Sequence, residues 1–168
     1  MKEEFSIPYV AAIIVRVKNG KKEILIQTRN KPDYDPKYTG AFEIPAGRIR
    51  KYENIFDALK REVKEETGLK LKKIYNEPKA GIFRVKEDET LAFTPFCCAQ
   101  VIKAPQPYIG FYFICEVINE EARSHSKESL NQIWVSTEKL KKMINKNKNE
   151  FYVLHIAALK LYLGKNMK

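Results

Sequence analysis

Three glutamates in the middle of the chain, Glu62, Glu65 and Glu66, have the residue type and the spacing of a metal site. On a helix, positions i, i+3 and i+4 lie on one face, so the three carboxylates would project together. Glu62 and Glu66 are then like charges four residues apart, an arrangement that destabilises an isolated helix. A bound divalent cation would offset that repulsion, because Mg²⁺ prefers several hard oxygen ligands.

A solvated acidic face is the alternative interpretation of the same triplet. Glutamate-rich helices with interspersed cations are common, and here basic residues alternate with the glutamates at Lys60, Arg61 and Lys64. The triplet alone leaves both interpretations open, so the choice between them depends on the residues that flank it.

Residues before and within the predicted helix favour the metal site. The segment Pro45-Ala46-Gly47 ends a predicted strand, and a glycine there lets backbone carbonyls approach a metal or a phosphate closely. Arg61 lies beside Glu62 and four residues before Glu65, where it can hold a glutamate in position. The pattern therefore indicates a metal-binding helix next to a backbone segment that can approach the metal or a phosphate closely.

The segment from Gly47 to Leu69 resembles the signature of the Nudix hydrolase superfamily. That signature has a glycine, a glutamate, an Arg-Glu pair, an aliphatic residue, a Glu-Glu pair, a second glycine and a second aliphatic residue at set spacing. Every constrained position matches within these 23 residues: Gly47, Glu53, Arg61, Glu62, Val63, Glu65, Glu66, Gly68 and Leu69. A match of that length is far more specific than a lone short motif.

The resemblance implies a fold, a reaction and a set of ligands. The implied fold class is α/β (α+β), the Nudix αβα sandwich with a mixed β-sheet. The implied activity is Mg²⁺-dependent cleavage of the diphosphate bond in a nucleoside diphosphate derivative, with Mn²⁺ as an alternative cofactor. Glu62, Glu65 and Glu66 match the metal-ligating positions, and in relatives a backbone carbonyl near Ala46 or Gly47 often completes the coordination.

The resemblance also implies a general base, which relatives take from the helix or from a loop before the last strand. That loop offers Glu120, Glu121 and Glu128, and Glu128 is favoured because it lies about five residues before the predicted strand, near where pyrophosphatase relatives carry their base. A solvated loop glutamate is the alternative for Glu128, and Glu65 is then the base. Arg61 completes the residues that are expected to serve catalysis.

Further candidates for substrate binding lie near the end of the second predicted strand. Arg29 could bind a phosphate through a bidentate contact of its guanidinium, or it could be an ordinary surface arginine. Tyr34, Tyr38 and Phe42 could stack on a base, but packing in turns or in the core is expected for each. No zinc site is expected at His125 or His155, because neither has a cysteine or histidine neighbour at ligand spacing.

The residues outside the signature bear on the substrate. Gln27-Thr28-Arg29, the segment from Glu43 to Gly47 and the C-terminal helix resemble ADP-ribose and nucleoside-diphosphate-sugar pyrophosphatases. Residues 94–108 depart from the bacterial ADP-ribose enzymes, since a Ser-Pro-Gly-Gly turn is missing there. The alternatives are a nucleoside triphosphate pyrophosphohydrolase, an RNA 5′-end pyrophosphohydrolase and a non-catalytic nucleotide sensor, although a sensor is expected to have lost acidic residues of the signature.

Periodicity and turn residues predict the elements that must position these side chains. Strands are predicted over residues 9–17, 23–27, 41–44, 69–75, 80–85, 91–101, 109–117 and 133–135, with a hairpin turn at Asn19-Gly20. Helices are predicted over residues 54–67, 138–144 and 151–163, the first capped by Asn54 and ended by Gly68. Residues 29–40 and 119–129 are predicted loops. This order indicates a mixed sheet between helices.

Composition bounds the class of protein. A chain of 168 residues with 44% hydrophobic residues suits one domain, residues 1–168, with a sizeable core. The net charge of +10 would draw anions, but the lysines are spread along the chain, so a solvated surface is expected rather than a nucleic-acid patch. The expected partner is a small nucleotide substrate, and a homodimer is expected by analogy with related pyrophosphatases.

The sequence predicts a cytoplasmic protein that does not associate with membranes. The first residues lack the pattern of a secretory signal, and no apolar run approaches the ~20 residues that a spanning helix needs. The odd number of cysteines argues against a disulfide framework. Buried, reduced thiols are expected at Cys97, Cys98 and Cys115.

Overall fold

The computed structural model describes residues 3–75, 81–104, 106–122 and 126–165. It begins with a hairpin of β1 (Ile7–Lys18) and β2 (Lys21–Arg29). Asn19 and Gly20 connect the strands with φ angles of 52° and 72°. Two residues with positive φ suit a tight hairpin turn, so the predicted Asn-Gly turn is confirmed.

A mixed sheet forms the centre of the molecule. The strands after the first hairpin are β3 (Phe42–Glu43), β4 (Ala46–Arg48), β5 (Leu71–Ile74), β6 (Ile82–Val85), β7 (Asp88–Leu91), β8 (Cys97–Gln100), β9 (Tyr108–Val117) and β10 (Ser129–Ser136). The central strands lie in the order β10, β2, β1, β9, β5, and β3, β4 and β8 pair with β2, β1 and β9 respectively, whereas β6 and β7 form a separate two-stranded sheet. β1 and β9 are parallel, and the other pairs are antiparallel.

Helices cover both faces of this sheet. Alternate β1 residues face opposite sides, because successive side chains of a strand point in opposite directions. Tyr9, Ala11 and Ile13 belong to the core beneath α2 (Thr137–Lys146) and α3 (Val153–Lys165). Val10, Ala12 and Ile14 belong to the core beneath α1 (Ile55–Thr67). The expected α/β class and the αβα sandwich with a mixed sheet are therefore confirmed.

Local signals account for both ends of α1. The Asn54 side chain accepts a hydrogen bond from the Phe56 amide, which satisfies one free donor of the first turn. Gly68 ends the helix in the left-handed conformation, with a φ of 69°. Leu59 and Val63 are completely buried against the sheet, whereas Glu65 on the same helix is half-exposed.

Several predicted boundaries differ from the structure. The strand predicted over residues 91–101 is wrong, because irregular backbone at residues 92–96 separates β7 from β8 and contains a proline that cannot donate to a ladder. The break predicted at residues 45–47 is only partly right. β3 pairs with β2, and the chain then breaks from this pairing before β4, which contains Ala46 and Gly47 and pairs with β1. Position 80 of another predicted strand lies outside the described residues.

The cysteines and the helices bear on two further predictions. Cys115 is buried and Cys97 is half-buried, but Cys98 is exposed because β8 lies at the edge of the sheet, so burial of all three thiols was wrong. The described cysteines form no disulfide with one another. Within the described ranges, every helix is too short or too polar to cross a membrane.

His155 ties α3 to the segment between β3 and β4. Its Nδ1 accepts a hydrogen bond from the Ile44 amide at 3.2 Å, so the neutral ring carries its proton on Nε2. Burial, with the nearby charges of Arg29 and Lys31, lowers the pKa of His155 to about 3. The folded protein therefore keeps this ring neutral at pH values where the unfolded chain protonates it.

This difference predicts a loss of stability in mild acid. The unfolded chain binds a proton below its histidine pKa of about 6.5, so stability falls as pH decreases from there towards 3. As pH falls from ~7.5 to ~5, the protonation of His155 in the unfolded chain lowers the free energy of unfolding by about 2 kcal/mol. His155→Gln, which can still accept from Ile44, should show a shallower pH dependence in urea unfolding than the wild type. Equal pH dependence in both proteins would contradict this account.

Candidate active site

A cleft of about 760 Å³ opens at one end of the sheet, where both helical layers meet. Its walls come from the loop after β2, from β3 and β4, from α1, from the start of β9, from the loop before β10 and from the start of α3. Predicted site residues that line it are Arg29, Ala46, Gly47, Arg61, Glu62, Glu65 and Glu128. The structure therefore gathers residues from both halves of the chain.

The three glutamates of α1 occupy different environments. Glu65 is half-exposed and Glu62 is largely shielded, and both line the cleft. Glu66 is 5% exposed and lies beneath them, against β2 and β4. Helical spacing predicts all three carboxylates on one face, but two of them lie at the surface of the site and one lies in its interior.

Arg61 holds the surface carboxylates together. Its Nε and Nη2 donate to the two oxygens of Glu53 at 2.7 and 2.9 Å, and its Nη2 also donates to the Arg48 carbonyl. Its Nη1 donates to Glu62 and, at 3.3 Å, to Glu65. The hydrogen bonds from Arg61 lower the pKa of Glu53 to about 2. Arg61 thus has the positioning contacts that its sequence position predicts.

Gly47 brings the backbone of β4 against the Glu62 carboxylate. A Cβ atom at position 47 would lie 1.9 Å from the Cδ of Glu62 and 2.1 Å from each of its oxygens. Such separations are far inside van der Waals contact, so only glycine fits beside this glutamate in its present position. The structure gives the glycine of the signature a physical reason.

Glu66 is held from below by hydrogen bonds. Its Oε2 accepts from the Gln27 side chain at 2.7 Å and from the Ala46 amide at 3.1 Å. Burial, reinforced by the charge of Glu43, raises the pKa of Glu66 to about 8. A nearby positive charge would therefore stabilise the ionised form of this carboxylate.

Arg29 is committed to the protein's own carboxylates. It is 6% exposed, and its Nη1 and Nη2 donate to Glu43 and Asp35 at 3.0 and 2.9 Å. Its guanidinium also lies 4.1 Å from the ring centroid of Tyr152. Its two terminal amino groups therefore have carboxylate partners, its Nε has no hydrogen-bond partner among the described residues, and the bidentate phosphate contact stays a prediction.

Glu128 is the loop glutamate that reaches the cleft. It immediately precedes β10, its side chain is 62% exposed, and it pairs with the Nζ of Lys31 at 2.5 Å. Glu120 points elsewhere, since it pairs with Arg16 at 3.0 Å beside a separate groove. His125 of the same loop lies outside the described residues.

The donor set can be compared with what a divalent ion requires. Among the residues that the structure describes, no three acidic, histidine or cysteine side chains are close enough together to hold a metal ion. Glu62 and Glu65 nevertheless converge on one positive charge, the Nη1 of Arg61. Their hard oxygen donors have the chemistry that Mg²⁺ or Mn²⁺ prefers, so the residues fit such an ion.

Comparison with known families identifies the class of protein. The sequence matches the NUDIX domain family over residues 8–154. This chain belongs to the Nudix family. It is a hydrolase of the class that acts on phosphoric anhydride bonds. No curated protein sequence matches the chain.

Solved structures of Nudix proteins share the fold. A MutT protein from Methanosarcina mazei Go1 is 20% identical, with 100% of both chains covered and a TM-score of 0.63. A NUDIX family hydrolase from Clostridium perfringens is 22% identical over 95% of this chain and 99% of its own, with a TM-score of 0.62. The NUDIX domain of Shewanella oneidensis NrtR, complexed with ADP ribose, is 11% identical over 99% of this chain and 91% of its own, with a TM-score of 0.66.

The structure also brings residues to the Nudix site that the sequence analysis did not single out. Glu43 and Asp35 hold Arg29, Lys31 pairs with Glu128, and Arg48 lines the cleft beside Gly47. Of these residues, only Glu43 was indicated by the sequence, as the acidic member of the segment that ends at Gly47. The other contacts depend on the path of the loop after β2, which local sequence does not specify.

Proposed function

We propose that this Nudix hydrolase depends on a divalent metal and cleaves the diphosphate bond of a nucleoside diphosphate derivative. The observation that carries the proposal is the convergence of Glu62 and Glu65 on Arg61, inside the cleft and against the glycine backbone of β4. A cleft lined by both carboxylates and several cations suits a metal together with a diphosphate.

Glu62, Glu65 and Glu66 are the proposed metal ligands, with the backbone at Ala46 or Gly47 beside them. When bound, Mg²⁺ or Mn²⁺ supplies neutralisation of the phosphate oxygens and a lowered pKa of a bound water. Arg61 keeps the outer two carboxylates oriented. The hydrogen bonds from Gln27 and Ala46 fix the inner one, Glu66.

Glu128 is the proposed general base. It is exposed and lines the same cleft as the carboxylates of α1, so its carboxylate can take a proton from a water that attacks phosphorus. The ion pair with Lys31 limits the positions that this side chain samples. Glu65 is the alternative base because it also lines the cleft and is half-exposed.

ADP-ribose-like compounds and nucleotide sugars are the proposed substrates. The segments around Gln27 and from Glu43 to Gly47 that suggested them lie together in the structure, where they form the support of Glu66. The NrtR domain, whose fold is similar, was solved with ADP ribose. A cytoplasmic location and a homodimer stay predictions from the sequence.

A substrate panel tests this function. Nucleotide sugars, ADP-ribose, dinucleoside polyphosphates and nucleoside triphosphates are incubated with the protein in millimolar Mg²⁺, and products are identified by chromatography. We expect a nucleoside monophosphate and a sugar phosphate, no reaction after chelation, and no turnover by Glu65→Gln. Absence of products from every compound would contradict the proposed enzyme, and full activity of Glu65→Gln would remove this residue from the metal site.

A matched pair of loop variants tests the general base. Glu128→Gln should lower kcat by about 10²–10⁴-fold, the usual contribution of a general base, without loss of thermal stability. Glu120→Gln makes the same change in the same loop but outside the cleft, so its kcat should equal that of the wild type. Normal kcat in Glu128→Gln would move the base to another residue.

A further inference from the structure

The cleft has two chemically unlike halves. In one half α1 contributes carboxylates and a guanidinium group, whereas the other half is lined by tyrosines and a leucine beside the paired Arg29 and Glu43. These tyrosines and the leucine are Tyr9, Tyr34, Tyr108, Tyr152 and Leu154. A diphosphate suits the first half, and a flat apolar ring suits the second because aromatic rings bind well by stacking.

Tyr34 presents an exposed ring, with the Arg48 guanidinium over it and its hydroxyl 3.4 Å from that of Tyr108, on a loop that is fixed at several points. Asp35, its neighbour, accepts from Arg29 at 2.9 Å, and the Asp35 amide donates to the Lys31 carbonyl at 2.8 Å. Tyr38, farther along the loop, packs edge-on against Tyr152 with centroids 5.0 Å apart. Tyr34 itself is 55% exposed. Its ring is therefore held in place by its neighbours while its surface faces the cleft.

Arg48 lies between this ring and the polar half. Its Cζ is 5.2 Å from the Tyr34 centroid and 5.8 Å from that of Tyr108, and its Nη2 donates to the Tyr108 hydroxyl at 2.9 Å. In the described part of the chain, no carboxylate pairs with Arg48, whereas Arg29 and Arg61 each have acidic partners. A cation without an acidic partner in a cleft is a binding group for an anion.

The position of Arg48 along β4 links the two halves. It directly follows Gly47, whose backbone touches Glu62, and its own carbonyl accepts from Arg61. A phosphate bound by Arg48 would therefore lie next to the carboxylates of α1. A ribose spans the gap between a phosphate and a base, so a base attached to that phosphate could reach the ring of Tyr34.

We propose that Tyr34 and Arg48 form the recognition pair for a nucleoside 5′-phosphate: the Tyr34 ring stacks on the base, and the Arg48 guanidinium binds the adjacent phosphate. This inference rests on the proposed function, because it places the nucleoside side of the same substrate. It makes the enzyme selective for nucleoside diphosphate compounds over diphosphates that lack a base.

Two ligands that differ by the base test this assignment. AMP is ribose 5-phosphate with a base attached, and neither compound contains an anhydride bond, so binding is measured without turnover. Titration of the wild type should show AMP binding about tenfold more tightly than ribose 5-phosphate, the lower range expected for one base stacked on an aromatic ring.

Variants separate the two roles. Tyr34→Leu should lose the preference for AMP and keep the wild-type affinity for ribose 5-phosphate, whereas Tyr34→Phe should keep both affinities. Arg48→Met should weaken both ligands by the same factor. Tyr52→Leu removes a 94% exposed tyrosine outside the cleft and should behave as the wild type.

Each contrary result has a distinct meaning. Unchanged AMP affinity in Tyr34→Leu, or equal weakening of both ligands there, would overturn the stacking role, and unchanged affinities in Arg48→Met would overturn the phosphate role. Hydrolysis of base-free diphosphates alone in the substrate panel would overturn this inference but not the diphosphate hydrolase. If no compound is hydrolysed but the preference for AMP persists, the proposed hydrolytic activity would be overturned and the recognition pair would stand.

Discussion

The Glu62 carboxylate lies so close to strand β4 that, in its present position, it leaves no room for a side chain at residue 47. The rest of the site depends on this approach. The register of Val10 with Gly47 fixes β4 to the central strand, and the buried stripe of α1 fixes the helix to the same sheet. Glu62 is therefore positioned by strand pairing on one side and by the core packing of α1 on the other, which explains how a flexible side chain can be part of a precise site.

Buried polar groups support this contact from below. A charge in a protein interior is costly unless it is paired, and here Gln27 donates to Glu66 while Arg29 neutralises Glu43. The Arg29 guanidinium also anchors the loop that carries Tyr34, through its bond to Asp35. One buried network thus supports both Glu66 of α1 and the loop that carries Tyr34.

The sequence was sufficient where the determining contacts are local. The cap at Asn54, the apolar stripe and Gly68 define α1, and helical spacing places its glutamates on one face. The sequence was insufficient where partners are distant. Glu66, for example, accepts a hydrogen bond from Gln27, which lies 39 residues earlier in the chain. Tyr34 was expected to pack in a turn, and only the anchored path of its loop places it in the cleft.

In the proposed metal site, Gly47 allows the Glu62 carboxylate to hold a divalent ion beside β4. Mn²⁺ titration calorimetry of Gly47→Ala tests it directly, because the added methyl would displace the mobile end of Glu62 and not the backbone. Gly164→Ala is the control, since nothing lies within 4 Å of a Cβ there. Gly47→Ala should fold normally and bind Mn²⁺ about 10–100-fold more weakly, with Gly164→Ala unchanged. Wild-type Mn²⁺ affinity in folded Gly47→Ala would contradict the account.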